Sequence, residues 1–197
     1  MTTDEVIKEV EKDRTFYKES QGGVTLSGGE PMMQPEFLAE LLDKMNATDI
    51  HSVLDTSGYA TRETFLAVID KPGLFFYDIK LINDKDHKKF TGGSNSCILG
   101  NLLLLCDKGK NIILRMPVIP GITDTRKNID GILELLLKLK DQIHGIDLLP
   151  WHSLANAKYA RFGKPNKMGN MHDLKMDDLL PVKKEFEDCG VKVRIGG

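Results

Sequence analysis

Cysteine is scarce in this 197-residue chain: Cys97, Cys106 and Cys189 are the only three, at wide and irregular spacing. An odd number so placed makes neither a disulfide framework nor a local metal knuckle, and the three read as reduced structural thiols. Net charge is nearly absent too, since 27 basic residues against 29 acidic ones leave -2. No global field marks a nucleic-acid or anionic-membrane binder, so small-molecule or protein partners remain. Apolar runs stop well short of the roughly 20 residues that span a bilayer. The start, Met1-Thr2-Thr3-Asp4-Glu5, has neither the basic nor the apolar region of a signal peptide. A cytoplasmic protein is the expectation. Linkers and low-complexity tracts are also lacking, and 41% hydrophobic residues suffice for one substantial core. A single domain over residues 1–197 follows.

What the chain does have is alternation. Runs rich in β-branched and aromatic residues recur at Val24 to Ser27, Ser52 to Asp55, Leu74 to Asp78, Ile112 to Arg115, Ile146 to Leu149 and Val191 to Ile195. Most are apolar until their last residue, as expected of parallel strands covered on both faces. Helical patterns lie between them. Thr3 to Glu19 opens with helix-starting residues and spaces Val6, Ile7, Val10 and Phe16 along one stripe. Pro35 opens a second helix, with Phe37, Leu38, Leu41, Leu42 and Met45 on one side. Arg62 to Ile69, Cys97 to Asp107, Thr125 to Lys140 and Asp177 to Cys189 continue the pattern, with Gly109, Gly145 and Gly190 as stop signals. Strand, helix, strand at this spacing implies right-handed crossovers and a parallel α/β sheet, open or curled into a partial barrel. Asn156 to Lys175, rich in Gly, Asn and Lys, lacks a period and reads as a surface excursion over one sheet end.

In parallel α/β folds ligands bind at the carboxyl ends of the strands. Every such end here is polar: Ser27-Gly28-Gly29-Glu30-Pro31, Asp55-Thr56-Ser57-Gly58, Asp78-Ile79-Lys80, Arg115, then Trp151-His152. Gly28-Gly29 alone is a tight turn. Glu30 beside it repels a phosphate and attracts an ammonium, which favours an amino-acid ligand over a nucleotide phosphate. Asp55, Asp78 and Lys80 read either as a structural ion-pair network at the rim or as groups facing a charged ligand. Lys80 is also a candidate Schiff-base nucleophile, which keeps a lyase open as an alternative. Arg115 is a salt-bridge partner or a ligand clamp, and His152 a structural residue or a contact. His51, His87, His144 and His172 read as surface or loop residues without a role.

These segments, in this order on successive strand ends, resemble the radical S-adenosylmethionine enzymes, in particular the glycyl-radical-enzyme activating enzymes of the pyruvate formate-lyase activating type. The resemblance runs through Gly22 to Pro31, Leu54 to Gly58, Asp78 to Lys80, Arg115 with Val118-Ile119-Pro120-Gly121, and Leu148 to His152. It implies a partial (β/α) TIM-type barrel that binds S-adenosyl-L-methionine against a 4Fe-4S cluster. It further implies reductive cleavage to a 5'-deoxyadenosyl radical that takes hydrogen from a glycine of a partner enzyme. By the same resemblance Gly28, Gly29 and Glu30 meet the methionine amino group. Asp55 and Asp78 build the polar pocket near its carboxylate, with a monovalent cation as a candidate occupant. Lys80, Arg115 and His152 match further cofactor-lining positions. The implied partners are a glycyl radical enzyme and an electron donor such as flavodoxin or ferredoxin, with no nucleic acid and no membrane.

One departure stands out. The family holds its cluster on a Cys-x-x-x-Cys-x-x-Cys loop after its first strand, three thiolates leaving one iron open, and that spacing is absent here. Neither a metal ligand nor a catalytic residue is therefore assigned within the chain. The expectation is a truncated radical SAM domain, lacking the first strand and the cluster loop and inactive as it stands; a non-catalytic scaffold remnant is the other alternative. Loss of a first strand would leave Val24 to Ser27 as an unpaired edge, so association of chains, or shielding by the N-terminal segment, is anticipated.

Overall fold

A computed structural model describes residues 1–153 and 172–196. Six strands form one sheet: β1 (Val24–Leu26), β2 (Ser52–Thr56), β3 (Leu74–Asp78), β4 (Ile112–Val118), β5 (Gly145–Pro150) and β6 (Val193–Ile195). Their order across the sheet equals their order in the chain, and all neighbours are parallel. A doubly wound sheet reverses its order at a switch point. This one never does, so crossovers of one hand stack their helices on one face, the arrangement of a barrel wall.

The helices are α1 (Thr3–Glu11), α2 (Arg14–Ser20), α3 (Pro35–Ala47), α4 (Arg62–Val68), α5 (Asp84–Thr91), α6 (Ser96–Asp107), α7 (Arg126–Leu139) and α8 (Leu180–Asp188). Short 3-10 turns at Pro31–Met33 and Met176–Leu179 precede α3 and α8. The core lies between the helices and one side of the sheet. Leu54, Phe75 and Ile112 form one buried row in register, and Thr56, Tyr77, Leu114, Ile146 and Val193 form the next. Leu38, Leu42, Phe65, Leu102, Leu105, Ile132 and Leu136 close over them from the helices. Each such side chain contributes about 1.5–3 kcal/mol of burial free energy.

The other side of the sheet differs from the expectation of strands covered on both faces. Burial alternates along β2, β3 and β4, with Val53, Asp55, Phe76, Asp78, Ile113 and Arg115 only partly covered. The polar residues at the strand ends belong to this second face.

Three readings of the sequence are corrected. Thr3 to Glu19 is two helices, not one. The break at Lys12 and Asp13 shifts the helical phase, so Tyr17 packs inward and Phe16 stands 67% exposed. A capping box between Thr2 and Glu5 starts α1 as the sequence suggests. Second, α5 was not anticipated, because its residues Asp84 to Thr91 carry almost no apolar stripe. Asn83 caps it through the Asp86 amide, and acidic residues lead while lysines follow, the order that suits the helix dipole. Third, His87 on α5 is buried at 5% exposure rather than on the surface. Its Nδ1 lies 2.8 Å from the Gly93 carbonyl oxygen. The N-terminal segment adds no strand beside β1 but packs next to it: Val6, Ile7 and Val10 share one apolar cluster with Val24 and Leu26 around Leu41, Met45 and Ile50, and Lys44 bridges Asp4 and Glu40. Most of the anticipated excursion over Asn156 to Lys175 lies outside the described residues.

Gly58, just past β2, is forced by packing. Its φ is +69°, and a Cβ there would sit 1.7 Å from Tyr77 Oη, which itself donates to the Ile98 carbonyl at 2.6 Å. Gly58→Ala is therefore expected to lower stability by about 2–4 kcal/mol in urea denaturation, through combined strain and overpacking.

Candidate active site

The loops leaving β1, β2 and β3 enclose a cavity of about 490 Å³ lined by Ser27, Gly28, Gly29, Glu30, Asp55, Thr56, Ser57, Asp78 and Lys80. Six of the eight residues singled out from the sequence thus come together. Arg115 joins them through Asp55, its NH1 donating to Oδ2 at 2.6 Å. His152 does not line this cavity; it is exposed beyond the end of β5.

The residues divide by what holds them. Asp78 pairs with Lys80 at 2.9 Å, and Asp55 with Arg115. The ion-pair network is therefore real, and it forms the wall of a cavity rather than a dry rim. Glu30 is held differently. Oε1 accepts from Thr56 Oγ1 at 2.5 Å and from the Met32 amide at 3.2 Å, while Oε2 accepts from the Ser57 amide at 2.8 Å and Ser57 Oγ at 2.5 Å. All four donors are uncharged. Among the described residues Glu30 has no cationic partner, so it is the carboxylate of this cavity whose charge nothing offsets. Thr56 and Ser57 were not singled out from the sequence. The signal available was a pair of hydroxyls directly after Asp55.

The double glycine is informative through what it does not touch. A Cβ on Gly28 or Gly29 would meet no atom within 4 Å. Gly28 has φ +127°, a conformation that needs glycine, but Gly29 has no positive φ. Neither packing nor backbone strain calls for glycine at 29. Its missing side chain leaves space open where it lines the cavity.

Behind the wall, three buried asparagines fasten the loops. Asn128 Nδ2 donates to the Lys80 and Thr123 carbonyls while its Oδ1 accepts from the Ile82 amide. Asn95 donates to Leu81 and Ile82, and Asn101 to Gly58 and Ala60. A second cavity, about 400 Å³, shares Glu30, Ser57 and Lys80 with the first and adds Met33, Tyr59, His87, Thr91, Gly92, Gly93 and Ile98.

The cysteines lie elsewhere. Cys97 and Cys106 stand nine positions apart along α6, roughly 14 Å by helical rise, and Cys189 follows α8. Burial, with Asp107 adding to it, pushes the Cys106 thiol up to about 11. Among the described residues no three His, Cys, Asp or Glu side chains converge as a metal site would require.

A singly wound parallel sheet with a polar cavity at the carboxyl ends of its first three strands defines a barrel-type α/β enzyme domain. The radical SAM superfamily matches residues 1–141, and the chain belongs to that family. It is 39% identical over 196 residues to the trans-4-hydroxy-L-proline dehydratase activating enzyme of Clostridioides difficile, covering 98% of this chain and 64% of the relative. Similarity to the choline trimethylamine-lyase activating enzyme of Oleidesulfovibrio alaskensis is 38%, covering 82% of this chain and 53% of that one. A crystallised domain of a pyruvate-formate lyase-activating enzyme from Bacteroides vulgatus superposes with a TM-score of 0.74 at 30% identity, over 89% of this chain and 99% of that chain. The chain therefore spans between about half and two thirds of the curated relatives' length.

Two outcomes follow from the geometry. Asp55→Asn leaves a partly buried guanidinium without its ion pair and is expected to cost about 1–3 kcal/mol in denaturant titration; Asp55→Asn with Arg115→Met should recover most of that. Asp84, which accepts from Lys88, Ser94 Oγ and the Asn95 amide, is depressed to about 2, chiefly by Lys88 and then Ser94. A carboxylate depressed in the fold contributes stability above its unfolded range and loses it as pH falls through the folded value. The amides of residues 92–96 should therefore lose hydrogen-exchange protection between about pH 4 and pH 2, with the Asp84 carboxyl carbon titrating near 2.

Proposed function

We propose that this chain is the core of a glycyl-radical-enzyme activating enzyme and that its strand-end cavity binds the amino-acid portion of S-adenosyl-L-methionine. One observation carries the proposal: Glu30, oriented by four uncharged donors, presents a carboxylate with no cationic partner among the described residues, beside a glycine whose side chain no described atom would exclude. The cavity's volume lies within the usual range for small-molecule sites.

In this reading Glu30 attracts the methionine ammonium, and Gly28 and Gly29 let the ligand approach the backbone. Asp55, Asp78, Lys80 and Arg115 surround the carboxylate end; a monovalent cation there would have to displace Lys80 or Arg115 from its aspartate. His152, exposed beyond the end of β5, is left to contact the part of the cofactor that extends past this cavity. A 4Fe-4S cluster, where one is bound, would supply one electron to cleave the sulfonium to methionine and a 5'-deoxyadenosyl radical, and a glycyl radical enzyme would supply the glycine whose hydrogen that radical takes. The electron donor is a flavodoxin or ferredoxin. These 197 residues contain no Cys-x-x-x-Cys-x-x-Cys run, so they hold the cofactor side of the site and not the cluster ligands.

The Schiff-base alternative finds less support. Lys80 is engaged by Asp78 among polar neighbours, not held in the apolar pocket that activates such lysines. The relatives, all named as activating enzymes, point the same way.

Isothermal titration tests the proposal. S-adenosylmethionine should bind with 1:1 stoichiometry, and Gly29→Ala should keep or slightly raise the melting temperature while weakening binding by about tenfold. No binding by the parent chain overturns the cofactor assignment. With iron, sulfide and reductant the chain alone should form no 5'-deoxyadenosine. Turnover by the chain alone would overturn the division of the site between these residues and a cysteine loop.

A further inference from the structure

The half-exposed face of the sheet carries a row of alternating charge. Asp78, Arg115, Asp147 and Arg194 are direct register partners on β3, β4, β5 and β6. Neighbouring parallel strands lie about 4.8 Å apart and registered residues share a face, so Arg115 has a carboxylate beside it on either strand. It bonds to neither. Its guanidinium passes over the Phe76 ring, 5.4 Å from the centroid, and reaches Asp55 on β2, two strands away.

The reason lies in what the nearer carboxylates are doing. Asp78 is taken by Lys80. Asp147, only 2% exposed, has both oxygens occupied by Arg194: Nε donates to Oδ1 and NH2 to Oδ2, each at 2.8 Å. That fork neutralises Asp147, so a second cation gains far less there than it would beside an unpaired carboxylate. Arg194 itself is 54% exposed in its side chain and is absent from the lining of the strand-end cavity.

We propose that Arg194 is a positioning residue for the site: by neutralising Asp147 it keeps Arg115 directed at Asp55. Without Arg194, Asp147 becomes a buried carboxylate with no cation, and Arg115, on the adjacent strand and in register, is its nearest remedy. Arg115 then leaves Asp55, and the cavity loses the cation that balances that aspartate. The wall beside the ligand carboxylate turns more negative. The effect on ligand rests on the cofactor reading above, but the movement of Arg115 does not.

Crystal structures and arginine side-chain NMR of Arg194→Gln, with Arg115 signals assigned through Arg115→Lys, test the movement directly. Arg115 is expected to break from Asp55 and pair with Asp147. In Asp147→Asn/Arg194→Gln, where the competing charge is gone, it should return to Asp55, a rescue that a merely structural Arg194 would not produce. Should Arg194→Gln fail to fold, Arg194→Met, which removes the cation while keeping an unbranched apolar stem, takes its place. Arg115 remaining on Asp55 in every folded single variant overturns the proposal. In parallel, titration with S-adenosylmethionine should show affinity falling about tenfold in Arg194→Gln and recovering to within about threefold in the double variant. A moved Arg115 with no ligand binding even by the parent chain overturns the cofactor reading and leaves the positioning role standing.

Discussion

A sheet whose helices all lie on one side has one face without an apolar partner, and the rest of this structure follows from that constraint. Because strand order never reverses, every crossover adds to the same layer. Leu54, Phe75, Tyr77, Leu114 and Ile146 face the helices and are fully covered. Their neighbours in sequence face the other way. There the chain places Asp55, Asp78, Arg115, Asp147 and Arg194, and it matches cations to carboxylates closely enough that three aspartates meet three bases, Lys80 included. Ion pairs of this kind add little net stability, since desolvation offsets much of the attraction. What they do is fix where each charged group points, and a site depends on that more than on stability.

The ends of the strands were legible in the sequence, because a strand end is a local event: an apolar run stops at a polar residue, followed by glycine or by a helix cap. That is why Gly28, Gly29, Glu30, Asp55, Asp78 and Lys80 could be named together and are found lining one cavity. The parallel strand-helix alternation was legible too, while the choice of a partial barrel over an open sheet came from the family resemblance. What could not be read depends on register between distant segments. Nothing near Asp147 or Arg194 in the chain says that they pair across 47 positions, and nothing near Arg115 says that it passes over Phe76 to a strand two places away. His87 was misjudged because α5 is polar in composition and buried by its neighbours rather than by its own periodicity. His152 was grouped with the cavity from its place after a strand, yet β5 lies three strands from β2, and the cavity is built by the first three loops alone.

Glycines in this chain carry two different meanings, and only the structure separates them. Gly58 is demanded from within: its conformation and the Tyr77 hydroxyl leave no room for a side chain. Gly29 is demanded by nothing among the described residues. A residue that pays an entropic cost without internal return points to something outside, and a ligand approaching the backbone is the simplest such demand. The same reasoning separates Glu30 from the aspartates. A structural carboxylate on this face is matched by a base, as Asp78, Asp55 and Asp147 are. Glu30 is matched by hydroxyls and amides, which orient it and leave its charge intact.

The strength of that residual charge decides what the cavity selects. At about 4 Å, in a partly buried site with an effective dielectric near 20, an opposite unit charge gains about 4 kcal/mol, and a like charge loses as much. A difference of that size between ammonium and phosphate is several powers of ten in occupancy, far more than the shape of a double-glycine loop could supply. Neutralised aspartates contribute little to this discrimination, because each already has its cation. The discrimination therefore rests on keeping Arg115, Lys80 and Arg194 on their own partners. If any of these bases shifted to Glu30 the selectivity would vanish, and if any shifted away from its aspartate a second uncompensated charge would appear. On the proposed reading, a charge-matched wall with one carboxylate unmatched among the described residues offers a place to the ammonium of a zwitterionic amino acid and none to a competing anion.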